Sequence, residues 1–178
     1  MHGDIENILM TEAEIDECVR RLAAQITADY REKALTAVVI LRGSLVFAAD
    51  LIRKIELPMT VDFIQASSYG AGTVSSGTLK ITHGLEDDPT GKDLLLIEDI
   101  IDSGNTLLHL REYLKGSGAA SVKVCTLLSK PERRTADIEA DYTGKIIPNE
   151  FVVGYGLDYD QKYRNLPYIG ILKREIYE

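Results

Sequence analysis

Leu94-Leu95-Leu96-Ile97 is a continuously apolar run that stops at Glu98-Asp99-Ile100-Ile101-Asp102-Ser103-Gly104-Asn105-Thr106, after which a helical pattern runs from Leu107 to about Lys115. A strand without polar alternation has to be buried on both faces. One that passes through a short polar turn straight into a helix is a building block of a parallel sheet. The pattern recurs. Ala37-Val38-Val39-Ile40-Leu41 reads as a strand, Arg42-Gly43-Ser44 as a tight loop, and Leu45 to Ile55 as a helix. Thr60 to Ile64 starts a further strand, Leu79 to Ile81 its return, and Val122 to Leu128 the next strand, with a turn at Asp87-Asp88-Pro89-Thr90-Gly91. Between them, Ser67 to Gly77 is rich in glycine and hydroxyls without an apolar period, and is expected to be a mobile loop. Near the start, Thr11-Glu12-Ala13-Glu14 is a capping box, followed at helical spacing by Ile15, Cys18, Val19, Leu22 and Ile26 to about Tyr30. The expectation is an α/β fold, a parallel twisted sheet flanked by helices, with ligands at the carboxyl ends of its strands.

At 178 residues, 45% apolar and 27% charged, the chain has the size of one domain with one core. A formal charge of -8 repels a phosphate backbone, so no nucleic acid is expected as a partner. No apolar stretch approaches the roughly 18 to 20 residues of a membrane span, and the acidic start from Met1 to Asn7 does not resemble a leader. No membrane association and a cytoplasmic location are therefore expected. Cys18 and Cys125 sit in apolar periodic segments without metal-ligand spacing and read as two buried thiols.

The segment from Leu94 to Thr106 carries chemistry in each part. Ser103, Gly104, Asn105 and Thr106 stand where a helix begins, and free N–H groups with the helix dipole suit a phosphate monoester there. Gly104 lets the backbone come close to it. Glu98 and Asp99 just before can accept hydrogen bonds from a vicinal diol or hold a hard cation. Ribose 5-phosphate presents both features. Taken singly, Asp102 and Ser103 could equally be helix caps, and Glu98 and Asp99 a solvated strand end. Neither GxxxxGK[ST] nor a GxGxxG after a strand is present.

This segment resembles the phosphoribosyl-pyrophosphate-binding motif of the purine phosphoribosyltransferases. From Ile5 through Leu172 the chain is similar to the bacterial-type hypoxanthine-guanine phosphoribosyltransferases, with the matching segments in the family's order. The resemblance implies the type I phosphoribosyltransferase fold in a single domain over 1–178. A small purine hood would be formed mainly by about 130–178 and the N-terminal segment. It implies transfer of the 5-phosphoribosyl group from phosphoribosyl pyrophosphate to a 6-oxopurine base, giving IMP or GMP and pyrophosphate. It also implies Mg2+ as cofactor and a homodimer or homotetramer.

Residue by residue, Leu41-Arg42-Gly43-Ser44 matches the pyrophosphate loop, and Ser68-Tyr69-Gly70 the mobile active-site loop. Lys130, ordinarily a surface lysine, would donate to the purine O6. Phe151, ordinarily core, would stack on the base, and the backbone of Val152 would read its edge. Asp158 would join Glu98 and Asp99 at the magnesium site, and Arg164 would face pyrophosphate. The family commonly has lysine where this chain has Arg42, a change that backbone-amide binding tolerates. Related enzymes are similar in using a cis peptide there, so the Leu41–Arg42 bond is expected to be cis. Asp102, between the ribose-binding pair and the phosphate cradle, is the expected acceptor of the purine N7 proton.

Two other readings are weighed. A regulator of the same fold that binds RNA is opposed by the net acidity and by the hood. A transferase for another base is opposed for adenine by Lys130, which suits a 6-carbonyl, while hypoxanthine, guanine and xanthine stay open.

Overall fold

The computed structural model describes residues 2–68 and 79–178. In chain order the elements are β1 (Ile5–Met10), α1 (Glu12–Asp29), β2 (Leu35–Ile40), α2 (Leu45–Ile52), β3 (Met59–Ser68) and β4 (Leu79–His83). They continue with β5 (Asp93–Ile101), α3 (Asn105–Gly116), β6 (Ser121–Ser129), β7 (Tyr142–Ile146), β8 (Val152–Val153), β9 (Ile169–Leu172) and α4 (Arg174–Tyr177). Among the described residues these make a six-stranded sheet of order β4-β3-β2-β5-β6-β7 and a three-stranded sheet of order β1-β9-β8.

The large sheet is parallel except for β4, which returns antiparallel along the β3 edge. The apolar runs are apolar because both faces are covered. Ala37, Val39, Leu95 and Ile97 point into the cluster that holds the buried residues of α1 and α2. Val38, Ile40, Leu94 and Leu96 point into the cluster under α3 with Leu107, Leu110 and Leu114. A period of two, invisible in an unbroken apolar run, thus divides each strand between two cores.

Helix α1 begins where the sequence places it. The Glu14 amide donates to Thr11 Oγ1 at 3.3 Å, and the Glu14 carboxylate accepts from the Thr11 amide and hydroxyl, each at 2.8 Å. Those bonds hold the Glu14 pKa below the ordinary value. Cys18 and Cys125 are free and buried, as expected.

Several boundaries differ from the sequence expectation. Helix α2 ends at Ile52 rather than Ile55, although Ile55 is still buried. Ser67 and Ser68 belong to β3, because they pair with Lys80 and Leu79 of β4 instead of opening a loop. The rest of the expected mobile loop, including Tyr69, lies outside the described residues. Strand β5 continues through Glu98 and Asp99 to Ile101, paired along β6 as far as Ser129, and α3 starts at Asn105.

The small antiparallel sheet had no strand signal in the sequence. Strand β1 pairs with β9 across two register irregularities, so its buried residues, Ile5 and Met10, do not keep a period of two. Ile5, Val153 and Leu172 form its core, ringed by Tyr159, Tyr163, Tyr168 and Tyr177. Among the described residues no helix is long and apolar enough to cross a membrane.

Thr11→Ala removes one half of the reciprocal cap. It is expected to cost about 1 kcal/mol and lower Tm by roughly 2–4 °C, measured by thermal denaturation.

Candidate active site

Strand β2 leads through α2 to β3 on one side of it, whereas β5 leads through α3 to β6 on the other. Their connections therefore diverge, and a crevice opens outside the carboxyl ends of β2 and β5. A cavity of about 390 Å³ lies there. Arg42 and Gly43 line it from the end of β2, Glu98 and Asp99 from β5, and Asp102, Ser103, Gly104 and Thr106 from the turn into α3. Leu157, Asp158 and Arg164 close it from the loop between β8 and β9.

The Leu41–Arg42 bond is cis, as the sequence reading expects. The Leu41 amide donates to Ile64 O of β3 at 2.9 Å, and the buried Ser44 hydroxyl donates to Ile40 O. Gly43 packs tightly against the neighbouring strand β5. A Cβ there would lie 1.7 Å from Asp99 Oδ2, and one on Gly156 would lie 2.1 Å from Gly43 O. The loop is therefore wedged between the β5 carboxylate and the β8–β9 loop.

Glu98 keeps some exposure toward the cavity and Asp99 is buried. Burial pushes the Glu98 carboxyl well above the usual range, and the neighbouring Asp99 charge adds to this. Burial also raises Asp99, against hydrogen bonds from Glu98 and the Ile100 amide and the charge of Arg164. Among the described residues no three His, Cys, Asp or Glu side chains form a metal cluster by themselves. Asp158, which also lines the cavity, is ion-paired with Arg164 at 2.8 Å.

The turn after β5 is not capped by Asp102 or Ser103. Gly104 holds the N-cap position at φ 83°, with no side-chain cap bond, and a Cβ there would lie 2.7 Å from Ile138 Cγ2. Gly104 thus meets a left-handed backbone and a tight contact beneath it, in addition to leaving the outer side open. The Asn105 amide reaches Ser103 Oγ at 3.4 Å, and the first turn of α3 faces the cavity. Asp102 Oδ1 lies 2.7 Å from Arg133 Nε in an ion contact with both side chains about half exposed. Such a contact contributes at most about 1 kcal/mol.

Lys130 is not a surface lysine. It is 8% exposed, burial lowers its pKa, and nearby Asp102 partly opposes that shift. Lys130, Phe151 and Val152 stand outside the cavity lining, as does Asn105. Phe151 is partly exposed, with Tyr177 stacked on it at 4.7 Å and Tyr159 edge-on at 5.6 Å. Val152 is buried in β8 and pairs with Ile171. Arg164 Nη1 donates to Gly156 O at 2.7 Å. Gln161 Oε1 accepts from Arg164 at 3.3 Å and more distantly from Arg42 at 3.5 Å. Ser68 ends β3 and Tyr69 is outside the described residues.

Sequence reading missed Arg133, Arg134, Gln161 and Tyr177. A faint signal existed for the first two, a basic pair directly after Lys130-Pro131-Glu132 in an acidic chain.

Residues 4–160 match the phosphoribosyl transferase domain model. The chain belongs to the phosphoribosyltransferase family. It is 51% identical over 177 residues to the hypoxanthine-guanine phosphoribosyltransferase of Streptococcus pneumoniae strain R6, covering 99% of this chain and 98% of that protein. It is 52% identical over 177 residues to the bifunctional protein TilS/HprT of Listeria innocua. That match covers 99% of this chain, which spans only 27% of the length of the Listeria protein. Its fold is that of a crystal structure of a hypoxanthine phosphoribosyltransferase from Staphylococcus aureus, with TM-score 0.96 and 49% identity over 100% of this chain and 97% of that one.

The wedge at Gly43 is testable without any substrate. Gly43→Ala is expected to cost about 1–3 kcal/mol in chemical denaturation, because the Asp99 carboxylate must move. Combined with Asp99→Ala, which makes room, the loss should fall short of the sum of the single losses by about 1 kcal/mol or more. Strict additivity would show that the two residues are not in contact.

Proposed function

We propose that this chain transfers the 5-phosphoribosyl group from phosphoribosyl pyrophosphate to a 6-oxopurine, hypoxanthine or guanine, giving IMP or GMP and pyrophosphate. One observation carries the reading. A single cavity at the switch point gathers an amide loop with an arginine, two adjacent carboxylates and a helix N-terminus. Each suits one part of the donor. The first turn of α3 receives the 5-phosphate, Glu98 and Asp99 the ribose diol, and Arg42, Gly43 and Arg164 the pyrophosphate.

The donor set fits a magnesium ion, which takes oxygen ligands from one or two carboxylates and from substrate phosphates. Glu98 and Asp99 would hold it, with Asp158 joining through water. When bound it would offset charge on the departing pyrophosphate. Asp158 is paired with Arg164, so the two would reorient together as pyrophosphate leaves.

On the base side, the residues from about 130 to 178 with the N-terminal segment form the hood. Lys130 donates to the 6-carbonyl, Phe151 offers its ring for stacking and the Val152 backbone reads the purine edge. Asp102 stands at the turn between the ribose and phosphate residues and accepts the hydrogen of N7 as the glycosidic bond forms. Arg133 holds its carboxylate at 2.7 Å beforehand. Ser68 and Tyr69 would cover the pyrophosphate side and exclude water.

The deciding experiment is an assay with phosphoribosyl pyrophosphate, magnesium and each of hypoxanthine, guanine, xanthine and adenine. Turnover with hypoxanthine or guanine is expected, and turnover with none of the four would overturn the proposal. Asp102→Asn should fold normally and lower kcat by roughly a hundredfold. Lys130→Ala should weaken 6-oxopurine binding by about tenfold, the worth of one charged hydrogen bond, and narrow the preference over adenine. A fixed hypoxanthine-to-adenine ratio would remove Lys130 from base recognition.

A further inference from the structure

The segment after β6 ties itself to the turn after β5 carbonyl by carbonyl. The Lys130 amide donates to Ile101 O at 3.0 Å, and the amides of Thr135 and Ala136 both donate to Ser103 O at 3.0 Å. Between them, Asp102 O accepts from a side chain, Nη1 of Arg134 at 2.5 Å. Backbone donors could come from many sequences, but this one depends on the residue type.

Arg134 makes two more contacts that bear on the site. Its Nη2 donates at 2.9 Å to Ser129 Oγ, and Ser129 immediately precedes Lys130. Its Cδ lies 3.1 Å from where a Cβ on Gly104 would stand, so its stem underlies the N-cap of α3. The side chain is only 9% exposed, and the carboxylate beside it, Glu139 at 3.5 Å from Nε, is itself 74% exposed. A cation buried so deeply against a solvated carboxylate is a poor choice for stability alone. It makes sense where a rigid planar fork must hold several groups at fixed separation.

We propose that Arg134 is a positioning residue for phosphoribosyl transfer, locking Asp102 and the phosphate-binding turn in register with Lys130. The inference rests on the transfer reading above. Arg134 touches no reacting atom. It sets the distance between the residue that holds the base and the turn that holds the ribose 5-phosphate, with Asp102 fixed between them. A small misplacement of such groups costs rate far more than it costs stability.

The test compares wild type, Arg134→Lys and Ser129→Ala in steady-state kinetics well below their melting temperatures. Arg134→Lys keeps the charge and loses the fork, so kcat should fall by roughly ten- to a hundredfold. Ser129→Ala removes one anchor of the guanidinium and should give a smaller fall in the same direction, which keeps the test alive if the lysine variant folds poorly. In an Asp102→Asn background, Ser129→Ala and Arg134→Lys should each lower kcat by clearly less than they do in the wild type, because one of the groups they position no longer works. A lower Tm with unchanged kcat, or kcat losses that multiply fully with that of Asp102→Asn, would overturn the proposal and leave Arg134 a structural residue. A wild type inactive on every purine would instead overturn the transfer reading, and this inference with it.

Discussion

Strands β2 and β5 lie side by side in register from Leu35 and Asp93 to Val39 and Ile97, and their onward connections leave in opposite directions. The site follows from that divergence. Neither following helix can cover the crevice between the two strand ends, so backbone and polar side chains there face open space. Because β5 runs on to Ile101, its carboxylates rise beside the first residues after β2, and Gly43 can approach Asp99 only by having no side chain. Asp99 is thereby buried within a paired strand with Glu98 half-buried beside it, and the charge of both is disfavoured there.

The positive groups are placed to answer that need without joining the carboxylates. Arg164 is near enough to pull on Asp99, yet its own ion pair is with Asp158. Arg133 contacts Asp102, Lys130 is buried beside them, and Arg134 grips the main chain of the same turn. In a chain of net charge -8, Arg42 and Arg164 line the crevice beside four carboxylates, with Lys130, Arg133 and Arg134 just behind them.

The strand and turn framework of the large sheet was legible because its signals are local. Leu94 to Ile97 and Ala37 to Leu41 can hardly be anything but buried strands, and Thr11 with Glu14 announces a helix start that the structure reproduces bond for bond. Of the residues singled out from the sequence, Arg42, Gly43, Glu98, Asp99, Asp102, Ser103, Gly104, Thr106, Asp158 and Arg164 line one cavity, whereas Asn105, Lys130, Phe151 and Val152 do not. Long-range pairing was not legible. Strand β1 needs β9, more than 150 residues away, and its register irregularities erase the alternation that would have marked it. Arg134 was not singled out because its contacts are with Asp102 O, Ser129 Oγ and the Gly104 turn, which no spacing reveals. Phe151 was read toward a base, while its partner Tyr177 sits in a terminal helical turn with no sequence pattern linking the two.

The two sheets are not independent modules resting on one another. Tyr155 donates to Asp50 of α2 at 2.6 Å, and Lys145 of β7 donates to Leu9 O of β1 at 3.2 Å. At the cavity the contact is closer still. Gly43 O sits against Gly156, whose own carbonyl accepts from Arg164, and Arg164 in turn holds Asp158. The loop after β2 is therefore positioned by the β8–β9 loop as much as by its own strand. The Gly156 contact with Gly43 O brings two backbones together with no side chain between them, which leaves little room for either loop to move alone.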